Sequence, residues 1–166
     1  KSTILFYLYR IINKYKELLN NKKNVYDLNS QLQDSSLVIQ NFGNASLRLK
    51  NSFVIKPSGV ILKECKPEDM VQMDLDGNVL DGKLNPSSDE PTHRILYKEY
   101  KEINGIVHTH SKYATAFAQA DQEIENLGTT HSDFSTHNIF VTEQLDPAQV
   151  ANNYELNTGH KIIETI

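Results

Sequence analysis

Two short hairpins in the first half of the chain set the tightest limit on its fold. Leu47-Arg48-Leu49 and Phe53-Val54-Ile55 flank Lys50-Asn51-Ser52, a polar break of the length that turns a strand back on itself. Val71–Leu75 and Val79-Leu80 repeat the pattern around Asp76-Gly77, where glycine supplies the positive φ of a tight turn. Strands joined by such turns run antiparallel, whereas parallel neighbours need a crossover of a dozen or more residues. Long crossovers are scarce here, so a largely antiparallel sheet is predicted.

Helical signals surround these hairpins. Ile4, Leu8, Ile11, Ile12, Tyr15, Leu18 and Leu19 recur at helical spacing and predict an amphipathic helix, broken by Asn20, Asn21 and Asn24. Leu28, Leu32 and the run Leu37-Val38-Ile39 fit a helix followed by a strand. Pro67 opens a short helical turn through Met70, and a longer helix is expected from about Pro91 to Tyr100 with Ser88 or Asp89 as its cap. Gly105–His110 reads as an apolar strand, and Ser111 as the cap of a small-residue helix over Tyr113–Ala120. Ile139-Phe140-Val141 is a further strand, and Asp146-Pro147 starts a final helix. With no repeat and no linker, residues 1–166 read as one α+β domain.

Bulk properties remove several function classes. A net charge of -4 leaves no nucleic-acid footprint, and Lys14, Lys16, Lys22 and Lys23 read as a solvated helix face. Cys65 has no second cysteine to pair with, which suits a reducing cytoplasm. No apolar run spans a bilayer; Ile4–Ile12 is interrupted by Arg10 and lacks a cleavage site, so neither a membrane span nor a signal peptide is expected. The first residue is Lys1, so the natural N-terminus is expected to be missing or processed.

Four segments carry chemistry. His108 and His110 sit at i and i+2 on a strand, which points both imidazoles to one face, where they can share a divalent metal; a solvated strand end is the plainer alternative. Asp89 is either a helix cap or a carboxylate beside that metal. Asn41-Phe42-Gly43-Asn44 and Lys56-Pro57-Ser58-Gly59 are small polar loops of the kind that offer N–H groups to an oxyanion, with Ser87 and Ser88 adding hydroxyls and Lys56 a charge. Gly128–Asp133 gathers hydroxyls, an imidazole and an acid, and Asp133 is a candidate general base if burial raises its pKa. His93, His137 and His160 read as surface or packing histidines.

Joined in order, these segments resemble one family. Lys56-Pro57-Ser58-Gly59-Val60, Pro86-Ser87-Ser88-Asp89, Pro91-Thr92-His93-Arg94, Gly105-Ile106-Val107-His108-Thr109-His110-Ser111 and Gly128-Thr129-Thr130-His131 follow the order and spacing of L-ribulose-5-phosphate 4-epimerases, within the class II aldolase/epimerase family. Tyr154–Gly159 and Ile162–Thr165 look like the same family's later segment. The resemblance implies a three-layer α/β/α fold around an antiparallel sheet. It implies a cytoplasmic homotetramer with active sites between subunits. The implied activity interconverts L-ribulose 5-phosphate and D-xylulose 5-phosphate by retro-aldol cleavage and re-addition, in pentose-phosphate metabolism such as arabinose catabolism. His108, His110 and Asp89 would serve a zinc, manganese or cobalt ion that stabilises an enediolate. Asn44, Lys56, Ser58, Gly59, Ser87 and Ser88 would hold the phosphate, Thr129 would line the substrate site, and Asp133 would be the acid/base from a neighbouring subunit. Asp after the paired serines favours epimerase over the related fuculose-phosphate aldolases, which carry Glu there. The family's third metal histidine and catalytic tyrosine fall beyond the segment matched by Ile166, so a C-terminally truncated copy is expected, with an inactive metal- or phosphate-binding remnant as the alternative.

Overall fold

The computed structural model describes residues 2–38, 40, 42–133 and 135–166, with side chains from residue 14 onward. The apolar positions Ile4, Leu8, Ile11 and Ile12 therefore lie outside the described side chains, and Ile39 and Asn41 outside the described residues. Strands β1 (Asn44–Arg48), β2 (Ser52–Ile55), β3 (Val71–Asp74), β4 (Val79–Asp81) and β5 (Gly105–His108) form a sheet in the order β4-β3-β2-β1-β5. Every neighbouring pair is antiparallel, and both hairpins stand where the turn signals place them.

Side-chain alternation along β2 divides the core. Phe53 and Ile55 face one side with Val71, Met73 and Tyr97, while Val54 faces the other with Val25, Leu62 and Met70. Tyr97 belongs to α2 (Glu90–Glu99) and Val25 to α1 (Ser2–Asp34), so helices cover both faces of the sheet. This is the layered α+β architecture expected.

Helix α1 corrects the sequence reading. It runs unbroken through Asn20, Asn21 and Asn24. An asparagine lowers helix propensity by only about 0.5 kcal/mol, and tertiary contacts outweigh that sum. Val25 is fully buried. Asn29 donates to the carbonyls of Val25 and Ala45 at 2.7 and 3.1 Å and accepts from Ala45 N at 2.9 Å, which stitches the helix to β1. Lys22 likewise leaves the solvated face assigned to it: it is 2% exposed, pairs with Asp81 and donates to the Glu68 carbonyl at 3.1 Å. Leu37 and Val38 are not a strand; Ser36, at φ 60°, turns the chain out of the helix just before them.

The later segment departs further. Ile139 makes one isolated bridge with Ile124 rather than a strand. The helix capped by Asp146 is α5 (Pro147–Ala151), which Asp146 and Gln149 close reciprocally at 2.8 and 3.0 Å, but it is not the last. After Asn153, at φ 57°, comes α6 (Tyr154–Thr165), which packs on α2. Gly159 is the contact point: a Cβ there would lie 2.4 Å from Ile95 Cγ2 and 3.3 Å from Thr92 Cα. Gly159→Ala should gain up to about 1 kcal/mol of helix propensity and lose about 1–3 kcal/mol to overpacking. Urea unfolding is therefore expected to show a net loss, and an unchanged midpoint would mean the helices slide apart without penalty. Between these elements, α3 (Lys112–Gln119) has no buried residue, with Tyr113 at 74% exposure.

Candidate functional site

The β1–β5 register places Asn44 opposite His108. Helix α2 begins one residue after Asp89, which occupies the N-cap position. A capping carboxylate contributes about 1 kcal/mol, yet Asp89 makes no cap hydrogen bond. Its Oδ2 instead accepts from Asn44 Nδ2 at 2.5 Å and meets His108 Nδ1 at 2.8 Å. The cap reading therefore does not account for where this side chain points.

The pairing fixes electrostatics as well as direction. Burial pushes the Asp89 carboxyl up, but the hydrogen bond and charge of His108 and the bond from Asn44 outweigh it and hold the group below its ordinary range. The same bond raises the His108 imidazole against the opposing effect of burial. An ionised carboxylate only accepts, so His108 Nδ1 carries the donated proton and Nε2 remains for another partner.

His110 lies just past the end of β5, where its N–H donates to the Leu37 carbonyl at 3.0 Å. Its ring centroid is 5.0 Å from that of His108 at a 38° tilt, and 5.7 Å from that of Phe42. The imidazoles stand side by side rather than diverging. A carboxylate bonded to one nitrogen of a histidine whose other nitrogen is free is the usual support of a metal-ligating imidazole. The donor set thus fits a divalent ion held by two histidines, as an open site. No cluster of three or more His, Cys, Asp or Glu side chains arranged to hold an ion occurs among the described residues.

Beside this pair, the loop at 56–59 and the segment at 85–88 form one unit. Ser87 N donates to the Lys56 carbonyl at 2.9 Å, Ser58 N to the Asn85 carbonyl at 3.0 Å, and Pro57 bridges to Pro86. Ser87 Oγ accepts from Asn44 Nδ2 at 3.2 Å and from Asp89 N at 3.3 Å, which leaves its own hydrogen to donate outward. Lys56 is 5% exposed, and among the described residues its ammonium makes no hydrogen bond or ion pair. Burial pulls its pKa below the ordinary lysine range, against the charges of Cys65 and Asp89. Such a cation is short of a counter-ion. Ser88 and Gly59 are exposed, and Gly59, at φ +66°, has nothing within 4 Å of its missing Cβ.

Two expected members stand apart from this arrangement. Thr129 opens α4 (Thr129–Ser132) and is exposed, as is Asp133 just after it. Neither side chain bonds to the Asp89–His108 pair among the described residues, and the burial on which Asp133's role depended is absent within one chain. Asn44, by contrast, is part of it. An asparagine has two amide hydrogens, and both are spent on Asp89 and Ser87. Flipping the amide would set its oxygen against the Asp89 carboxylate.

Behind the site lies a buried layer in which His93 takes its packing alternative, with Ser46 and Tyr97, which the sequence did not single out. His93 is 1% exposed, with Nδ1 2.7 Å from Ser46 Oγ, which lies 2.8 Å from the Tyr97 hydroxyl. Burial lowers His93 to about 4 and raises Tyr97 to about 12. Spacing held the signal: His93 and Tyr97 are one helical turn apart, and Asn44 and Ser46 share a strand face.

Comparison with known proteins follows the same lines. The profile of a family described as Class II Aldolase and Adducin N-terminal domain matches residues 23–164. An L-ribulose-5-phosphate 4-epimerase of Salmonella paratyphi B is 47% identical over 147 residues, covering 87% of this chain and 64% of that enzyme. The chain thus spans less than two thirds of this curated relative. Among solved structures, an L-fuculose 1-phosphate aldolase superposes with a TM-score of 0.73 at 26% identity, over 85% of this chain and 68% of that one. The L-fuculose-1-phosphate aldolase of Thermus thermophilus shares the fold, with a TM-score of 0.64 at 23% identity over 90% and 73% of the two chains.

Proposed function

The chain belongs to the class II aldolase and adducin N-terminal domain family, and on that footing we propose that the enzyme it forms is an L-ribulose-5-phosphate 4-epimerase. In this reading residues 1–166 are one domain of that enzyme. The observation that carries it is the Asp89–His108 pair, with His110 alongside, set against a loop unit containing a buried lysine that has no ion-pair partner among the described residues. The 47% identity to an enzyme of that name supports the same reading.

Each residue has a stated task. His108, through Nε2, and His110 would hold zinc, or manganese or cobalt in its place, and Asp89 would fix the His108 ring. A divalent ion bound there supplies Lewis-acid polarisation of substrate oxygens. Lys56 and the Ser87 hydroxyl hold the substrate phosphate, with Ser58, Gly59 and Ser88 around it. This grip keeps the fragments in place while the C3–C4 bond is broken and re-formed on the opposite face. Asp133 is exposed and free of a side-chain partner among the described residues, which suits a carboxylate that reaches a neighbouring copy and moves the C4 hydroxyl proton. Thr129 would line the substrate site. The tetramer and the cytoplasmic setting belong to this proposal; none of the described helices is long and apolar enough to cross a membrane.

The fuculose-phosphate aldolase relationship supplies a second reading, in which the same site releases a cleaved aldehyde. Incubating the zinc-loaded full-length protein with L-ribulose 5-phosphate separates the two. D-xylulose 5-phosphate is expected, without net release of aldehyde. Cleavage products alone would transfer the assignment to the aldolases, and an untouched substrate would end both.

A further inference from the structure

We infer that Ser46, with His93 and Tyr97, is a positioning residue of the metal centre: the three hold α2 in one register on β1, so that Asp89 meets His108. The inference rests on the metal-centre reading of His108 and His110 and deepens it.

A strand presents every second residue to one side, and a helix every fourth. Two residues of strand advance about 6.8 Å and four of helix about 6.0 Å, so the two repeats stay in step over a short contact. Ser46 and Arg48 are successive positions on one face of β1, and Asp89, His93 and Tyr97 are successive turns of α2 and its cap. Ser46 is 1% exposed, and its Oγ lies 2.7 Å from His93 Nδ1 and 2.8 Å from the Tyr97 hydroxyl. A serine hydroxyl can donate once and accept twice, so both contacts run through one oxygen. Arg48 continues the series. Its guanidinium sits 4.6 Å over the Tyr97 ring, donates to the Tyr97 carbonyl, and donates to the Tyr100 carbonyl at 2.9 Å. The helix is thus tied to β1 at its middle and at its end.

Asp89 is the next step of the same ladder. His93 N donates to the Asp89 carbonyl at 3.1 Å, so the residue whose ring is anchored to Ser46 also holds the backbone from which Asp89 projects. Sliding α2 by one residue would move that carboxylate about 1.5 Å along the helix axis. The 2.8 Å bond between Asp89 and His108 would then be lost. Apolar contact is non-directional and would pack α2 on the sheet without choosing between such registers. A buried, satisfied polar network has one register. Burial keeps His93 neutral, with its pKa lowered to about 4, so its ring brings no charge to compete with His108 for the carboxylate.

The test titrates zinc by calorimetry into the wild-type chain, Ser46→Ala, Asp89→Ala and the double variant. Ser46→Ala is expected to weaken zinc binding roughly 10-fold, the scale seen when a metal ligand loses its support. In the Asp89→Ala background the same substitution should change affinity by less than about two-fold, because the serine acts through that carboxylate. Val25→Ala, in the core on the other face of the sheet, should lower the melting temperature and leave zinc affinity unchanged. Should Ser46→Ala not fold, Tyr97→Phe loses one hydroxyl, keeps the ring and takes its place with a smaller loss of zinc. A folded variant that binds zinc like the wild type overturns the inference. So does a full loss repeated in the Asp89→Ala background, or a Val25→Ala variant that loses as much zinc. A wild-type chain that binds no zinc overturns the metal-centre reading itself, and this inference with it.

Discussion

His108→Ala combined with His110→Ala is expected to abolish zinc binding, with the dissociation constant rising by at least about 100-fold, or roughly 2.7 kcal/mol. The argument is one of donor number. The site offers two imidazoles, and the nearest carboxylate is engaged with one of them at 2.8 Å. Removing both rings leaves no nitrogen donor at the end of β5. His108 and His110 are both partly exposed, so the substitution opens no large cavity and the fold should persist. A folded double variant that binds zinc like the wild type would place the ion elsewhere and dismantle the proposed function. Single substitutions give a finer reading. His108→Ala should also free Asp89, whose pKa should then rise because burial is no longer opposed by that neighbour.

The second large effect concerns acid stability. His93 is held neutral by burial, with its pKa lowered from 6.5 to about 4. Between those values the unfolded chain takes up a proton that the folded chain refuses. Stability contributed by the neutral ring is thus complete above pH 6.5 and is lost as pH falls toward about 4. The integrated loss is on the order of 3 kcal/mol, a large share of a typical domain's stability. His93→Asn keeps a polar atom near Ser46 Oγ and cannot titrate. Urea unfolding across this window should show a steep slope for the wild type and a flatter one for the variant. Equal slopes would assign the acid sensitivity to other groups. Glu90, raised by burial despite Arg94, works in the opposite sense and remains in both proteins, so the difference between them isolates His93.

Much of the fold was legible because its signals are local. The strand–turn–strand pattern of Leu47–Ile55 and the glycine at Gly77 each specify a hairpin within a few residues, and both hairpins formed in antiparallel pairing. The two histidines were legible as neighbours by spacing, although His110 falls just past the end of β5 and its place beside His108 is seen only in the structure. What failed was every reading in which a local preference met a distant partner. Three asparagines did not break α1, because Asn29 is bonded to β1 and Lys22 reaches β4. The run at Ile139 found a single bridge instead of a strand. The final helix expected from Asp146-Pro147 gave way to two, α5 and α6, the second packed on α2.

The sequence by itself determined the antiparallel sheet, the two imidazoles on one strand end and the polar loops, all of which depend on spacing along the chain. Only the tertiary structure decided which groups Asp89 and Asn44 bond. A carboxylate before a helix can cap that helix or turn toward another group, and the cap contributes only about a kilocalorie per mole. The choice belongs to residues 45 and 19 positions away, Asn44 and His108, brought within hydrogen-bond distance by the β1–β5 pairing.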